Sequence, residues 1–129
     1  MLATILNDLS IQYSVTIEYA SEVNKCYIAG RTISIGNYSN PEFLLISYFH
    51  EIGHLLITRE YIERWEYNTL QIELECWRIG IEEAKRNNIL FSDIAIEFGY
   101  KQALTYVGHD ERECSNWGEN YGKKLFIHK

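Results

Sequence analysis

A chain of 129 residues has room for one hydrophobic core, so residues 1–129 are read as a single domain. Apolar residues at 47% and aromatics at 14% exclude a disordered chain, and no run of about 20 apolar residues is present to span a membrane. A net charge of −6 lacks the basic footprint that nucleic acid requires.

The elements follow in chain order. Leu2, Ile5, Leu6 and Leu9 mark an amphipathic first helix. These first residues lack a basic region and a small-residue cleavage site, so no secretory leader is expected. Tyr13–Tyr19 alternates and is rich in β-branched residues, which predicts a strand. Lys25–Ala29 and Thr32–Ile35 predict a tight hairpin around Gly30-Arg31, closed by Gly36-Asn37. A helix is read from Pro41 to about Thr58, with Asn40 as N-cap. Residues 59–68 connect it to a helix from Leu70 to about Asn87. Ser92 caps a last helix to about Val107, with Ile94, Phe98 and Leu104 inward. Gly108–Gly122 reads as a loop-rich tail, and Leu125-Phe126-Ile127 as a strand or cap. The cysteines Cys26, Cys76 and Cys114 are odd in number and have no useful spacing. Neither a thiolate metal site nor a disulfide framework is indicated, and reduced thiols in a cytoplasmic protein are expected.

Chemistry concentrates in His50-Glu51-Ile52-Gly53-His54. Histidines four apart lie on one helical face and can bind one Zn²⁺, while the adjacent Glu51 can take a proton from a water that the ion activates. At 100° per residue, Ser47, His50, Glu51, His54 and Thr58 share one arc. Apolar residues cover most of the remainder, which marks a buried helix. Burying two imidazoles and a carboxylate is costly unless they are paired or bound to metal. The plain alternative is a pair of core or capping histidines.

A catalytic zinc takes a third protein ligand. The helix from Leu70 offers Glu73, Glu75, Glu82 and Glu83. Leu70, Leu74, Trp77, Ile81 and Ala84 form its apolar stripe, and Gln71, Glu75, Arg78 and Glu82 its solvated face. Glu73 lies on the packing side and is the preferred ligand. Glu83 and Glu75 stay open as alternatives, and an ion pair of Glu73 with Arg64 or Arg78 is the structural alternative.

The strand-like TISIGN, the HEIGH helix and Glu73-Leu74-Glu75-Cys76-Trp77 together resemble the zincin metallopeptidases, most closely ImmA/IrrE-type proteins and small phage or mobile-element relatives. The resemblance covers about Thr32 to Ala84. It implies a zincin-like α+β fold, with a small antiparallel sheet packed on the active-site helix and further helices. It also implies zinc on His50, His54 and Glu73, Glu51 as the catalytic base, and a protein or peptide substrate. The strand before the site helix would pair with an extended substrate. Three departures stand out: Cys76 and Trp77 replace a small and a polar residue, a Leu-Leu-x-Pro helix ending is missing, and no helix-turn-helix is evident. The rival expectation is a catalytically weak zincin-fold binding protein acting on a regulatory or host-defence partner. His109-Asp110 is weighed as an oxyanion-stabilising pair against a solvated turn, with Tyr61, Tyr67, Tyr100 and Tyr106 as rival donors.

Overall fold

In the computed structural model, which describes residues 2–19, 25–27, 31–36, 38–66 and 68–105, the chain opens with α1 (Leu2–Tyr13). Tyr13, expected to begin a strand, instead ends this helix. Ser14 adopts φ 54°, its N–H donates to the Ile11 carbonyl, and the Val15 N–H donates to the Ser10 carbonyl. That pair of bonds is the left-handed helix stop usually built on glycine. The strand β1 therefore spans only Thr16–Tyr19.

Two more strands follow, β2 (Lys25–Tyr27) and β3 (Thr32–Ile35). β2 and β3 pair antiparallel, as the hairpin reading expects. The sheet as a whole is not antiparallel, however. Its order is β1-β3-β2, and β1 pairs parallel to β3, with Ile17 opposite Ile33. The reason lies in burial. Ile33, Ser34 and Ile35 are all buried, whereas β1 is largely exposed. The strand covered on both faces takes the centre of the sheet, and β1 then meets the returning arm of the hairpin rather than the outgoing one. Arg31, at φ 47°, ties the hairpin to the end of α1 by donating to the Ser14 carbonyl at 2.9 Å.

Helices make up the rest: α2 (Pro41–Leu56), α3 (Arg59–Arg64), α4 (Thr69–Arg86) and α5 (Asp93–Leu104). The architecture is α+β. The Asn40 side chain accepts from the N–H groups of Glu42 and Phe43 and caps α2, as its sequence predicts. Glu42 in turn accepts from the N–H and hydroxyl of Ser92, the cap of α5, at 2.6 Å each. α4 ends on Asn88 at φ 61°, with the same bonding pattern as α1. The connector after α2 contains α3, which Thr58 caps through a bond from the Tyr61 N–H. In α5 the buried face is Ala95, Ile96, Gly99, Tyr100 and Ala103. Ile94, expected inward, is 70% exposed.

α2 is the hub of the fold. It buries Tyr48, Phe49 and Ile52 against β3, α4 and α5. α4 lies antiparallel to it, and two glycines bring the backbones together. A Cβ on Gly53 would stand 1.9 Å from the Cys76 carbonyl oxygen, and one on Gly80 would stand 2.3 Å from that of Phe49. No side chain fits at either point, so short polar groups on the facing helices come within bonding reach. Among the described residues no helix is long and apolar enough to cross a membrane. His109-Asp110, Tyr67, Tyr106, Cys114, Lys123-Lys124, Leu125-Phe126-Ile127 and His128 lie outside the described residues.

Candidate metal centre

The polar arc of α2 runs from core to solvent. Ser47 is fully buried, and His50 and Glu51 are buried. His54 has 27% of its side chain exposed, and Thr58, beyond the helix end, is exposed. Among the described residues the cluster is most exposed at its His54 end.

α4 brings Glu73 to this arc. The carboxylate, 6% exposed, receives His50 Nε2 at 3.0 Å on Oε1 and His54 Nε2 at 3.0 Å on Oε2. One helical turn separates the two rings along α2, and their centroids lie 4.7 Å apart. The structure thus gathers His50, Glu51, His54 and Glu73. Glu75 is elsewhere, held by the Arg78 guanidinium through two bonds of 2.6 and 2.7 Å. Glu83 accepts from the Tyr13 hydroxyl at 2.8 Å and pairs with Arg86. Neither reaches the histidines in this arrangement, and Arg64 and Arg78 do not pair with Glu73.

Each imidazole is engaged at both nitrogens. His50 Nδ1 lies 3.1 Å from Glu51 Oε2, and His54 Nδ1 lies 3.5 Å from Cys76 Sγ. The Trp77 indole stacks on His50, with centroids 4.0 Å apart and planes within 6°. Carboxylates only accept, so His50 between two of them carries a proton on both nitrogens. Burial opposes that charge, but the bonds to Glu51 and Glu73 outweigh it and hold the His50 pKa up at about 9. Burial likewise acts to raise Glu73, and the bonds from His50 and His54 overcome it, holding the carboxyl down at about 2.

Does this donor set fit an ion? Zinc ligands at about 2.0–2.2 Å from the metal stand roughly 3.3–3.6 Å apart around a tetrahedron. The three contacts from imidazole Nε2 to Glu73 measure 3.0–3.3 Å. Each nitrogen–oxygen pair is thus a few tenths of an ångström short of the spacing of two ligands on one ion. In two overlapping groups, His50-Glu51-His54 and His54-Glu73-Cys76, the donor atoms lie within 4.8 Å of one another. The fold and site define an α+β domain with a buried His/Glu cluster able to hold a metal ion. No family model matches this chain, nor does any curated protein or solved structure.

Sequence reasoning missed two contributors. By periodicity Trp77 belongs to the apolar stripe, and Cys76 stands in no thiol motif. Both lie one turn after Glu73, at i+3 and i+4, so the face that carries Glu73 also carries them. Two of the rival donors, Tyr61 and Tyr100, lie among the described residues. Tyr61 accepts from Gln71 Nε2, which buries Gln71 on the face expected to be solvated, and Tyr100 is in the core.

The two pKa shifts set a pH window for the metal-free protein. His50 contributes fully below its ordinary 6.5, and that contribution is lost as pH rises through about 9. Glu73 contributes fully above its ordinary 4.5, and loses this as pH falls through about 2. The cluster therefore stabilises the metal-free fold most between pH 4.5 and 6.5. A metal must displace a His50 proton. Its apparent affinity should rise about tenfold per pH unit below 9, with release of about one proton at neutral pH. Calorimetric titration in buffers of different ionisation enthalpy measures this. An affinity that is flat from neutral pH to 9 would contradict the assigned protonation.

Proposed function

We propose that this chain is a zinc-dependent metallopeptidase of zincin type, resembling ImmA/IrrE-type proteins, which hydrolyses peptide bonds of a protein substrate. The supporting observation is the convergence of His50 Nε2 and His54 Nε2 on one buried carboxylate, beside a second buried carboxylate, Glu51. His50, His54 and Glu73 would hold the ion. When bound, zinc supplies Lewis acidity, lowering the pKa of water and polarising a carbonyl oxygen. Glu51 accepts the proton of the attacking water and returns it to the leaving amine as the C–N bond breaks. Trp77 shields one face of His50 from water, and the half-exposed His54 end admits the substrate. A cytoplasmic setting fits a buried Cys76 that forms no disulfide, and a phage or mobile-element origin follows from the resemblance alone.

One observation favours a second reading. Glu51 Oε2 already engages His50 Nδ1, so Glu51 can serve as a brace for the ligand rather than as a base. The chain would then be a catalytically weak binding protein acting on a regulatory or host-defence partner. The deciding experiment incubates the zinc-loaded protein with a cell extract, with and without chelator, and maps new protein N-termini. Metal-dependent new termini are the expected result. Zinc retention without any new termini would favour the binding protein, and failure to retain about one zinc per chain would sink both readings.

A further inference from the structure

We propose that Cys76 is the positioning residue of the candidate metal centre: its sulfur holds Nδ1 of His54 and thereby presents Nε2 to the ion. The inference rests on the metal-centre reading above. A ligating histidine needs a partner at its other nitrogen to fix the ring and its tautomer, and that partner is usually a carboxylate, a carbonyl or water. For His50 it is Glu51. For His54 it is Cys76 Sγ, at 3.5 Å and with no solvent exposure.

The geometry explains why a thiol stands here. Glu73 and Cys76 are three residues apart on α4, an axial rise of about 4.5 Å. One turn therefore brackets one imidazole, with the carboxylate at Nε2 and the sulfur at Nδ1. Cys76 also sits where the helix backbones touch, its carbonyl oxygen within 1.9 Å of a Cβ built on Gly53. A short side chain reaches His54 in that space, at 3.5 Å from Nδ1.

The hydrogen bond has a defined sense in each state. Without metal, His54 Nε2–H donates to Glu73, so a neutral ring accepts the thiol proton at Nδ1. With Nε2 ligating, the ring proton moves to Nδ1 and Nδ1–H donates to sulfur. The thiol can both donate and accept, so it satisfies both tautomers. Alanine satisfies neither, while a serine hydroxyl can satisfy both.

The test compares full-length wild type, Cys76→Ala and Cys76→Ser by titration with Zn²⁺ against a chromophoric chelator and with Co²⁺ by absorption. Cys76→Ala should weaken zinc binding about 10–100-fold, the usual cost of losing such a partner. Cys76→Ser should recover part of that loss. Wild-type Co²⁺ protein should lack the intense near-ultraviolet sulfur-to-cobalt band, because sulfur contacts the ring and not the ion. Should the alanine variant fail to fold, an intermediate affinity of the serine variant still carries the comparison. Equal zinc affinity in wild type and Cys76→Ala, no recovery with serine, or a strong sulfur-to-cobalt band would each overturn the proposal while leaving the metal centre intact. A wild type that binds no metal would overturn the metal centre and this proposal together.

Discussion

Replacing Glu51 with glutamine should leave the zinc bound, leave the fold intact and remove hydrolysis. Glutamine keeps a carbonyl oxygen that can accept from His50 Nδ1, now 3.1 Å from Glu51 Oε2. Its amide cannot take a proton from water. General-base catalysis contributes on the order of 10²–10⁴-fold, so kcat should fall by that factor with little change in zinc affinity. Glu51 is 3% exposed, which makes its isosteric replacement the informative variant; alanine would leave a void and an unpaired Nδ1–H. Mapping of new protein N-termini beside wild type measures the outcome. If both proteins produce the same biological effect and neither creates new termini, Glu51 is a brace for His50, and the binding-protein reading is correct.

Loss of Glu73 should be more severe. Among the described residues its carboxylate bonds both imidazoles, at 3.0 Å each. Glu73→Ala removes the proposed ligand and one of the two carboxylates that pair with the buried His50. Breaking a buried ion pair from one side costs about 3–5 kcal/mol, so the metal-free variant should melt far below wild type. Its zinc affinity should fall by more than the roughly 10–100-fold expected for an outer partner such as Cys76. Glu75→Ala should change zinc affinity little, since Glu75 is bound to Arg78 at the half-exposed edge of α4. Glu73→Gln, which keeps the shape, separates ligand loss from misfolding. Zinc titration and thermal melting of the three variants decide the point. Equal loss of zinc in Glu73→Ala and Glu75→Ala would show that the facing of α4 on α2 is wrong.

Much of this was legible in the residues. The spacing of His50 and His54 on an otherwise apolar helix placed two imidazoles on one face, and the helix is observed from Pro41 to Leu56 with its expected cap. The phase of α4 separated Glu73 from Glu75, because Leu70, Leu74 and Trp77 mark its buried side. Ile94 faces solvent, against its periodicity, because α5 carries apolar residues on several faces and the core covers Ala95, Ile96, Gly99, Tyr100 and Ala103. The mixed sheet departs from the expected antiparallel one for a related reason. Local pattern identifies strands and the hairpin, but not which strand the core will cover on both faces.

What the sequence by itself determined is local: the capped histidine helix, the hairpin and the carboxylate that faces the core. Each follows from periodicity and side-chain chemistry within a few turns of chain. What only the tertiary structure decided is contact. Gly53 and Gly80 let two antiparallel helices meet backbone to backbone. That closeness puts Glu73 on two rings, Cys76 on His54 and Trp77 on His50. The parallel pairing of β1 with β3 is decided at the same level. No local signal encodes these meetings, because interhelical distance and strand order depend on how separate segments share one core, a property of the folded chain as a whole.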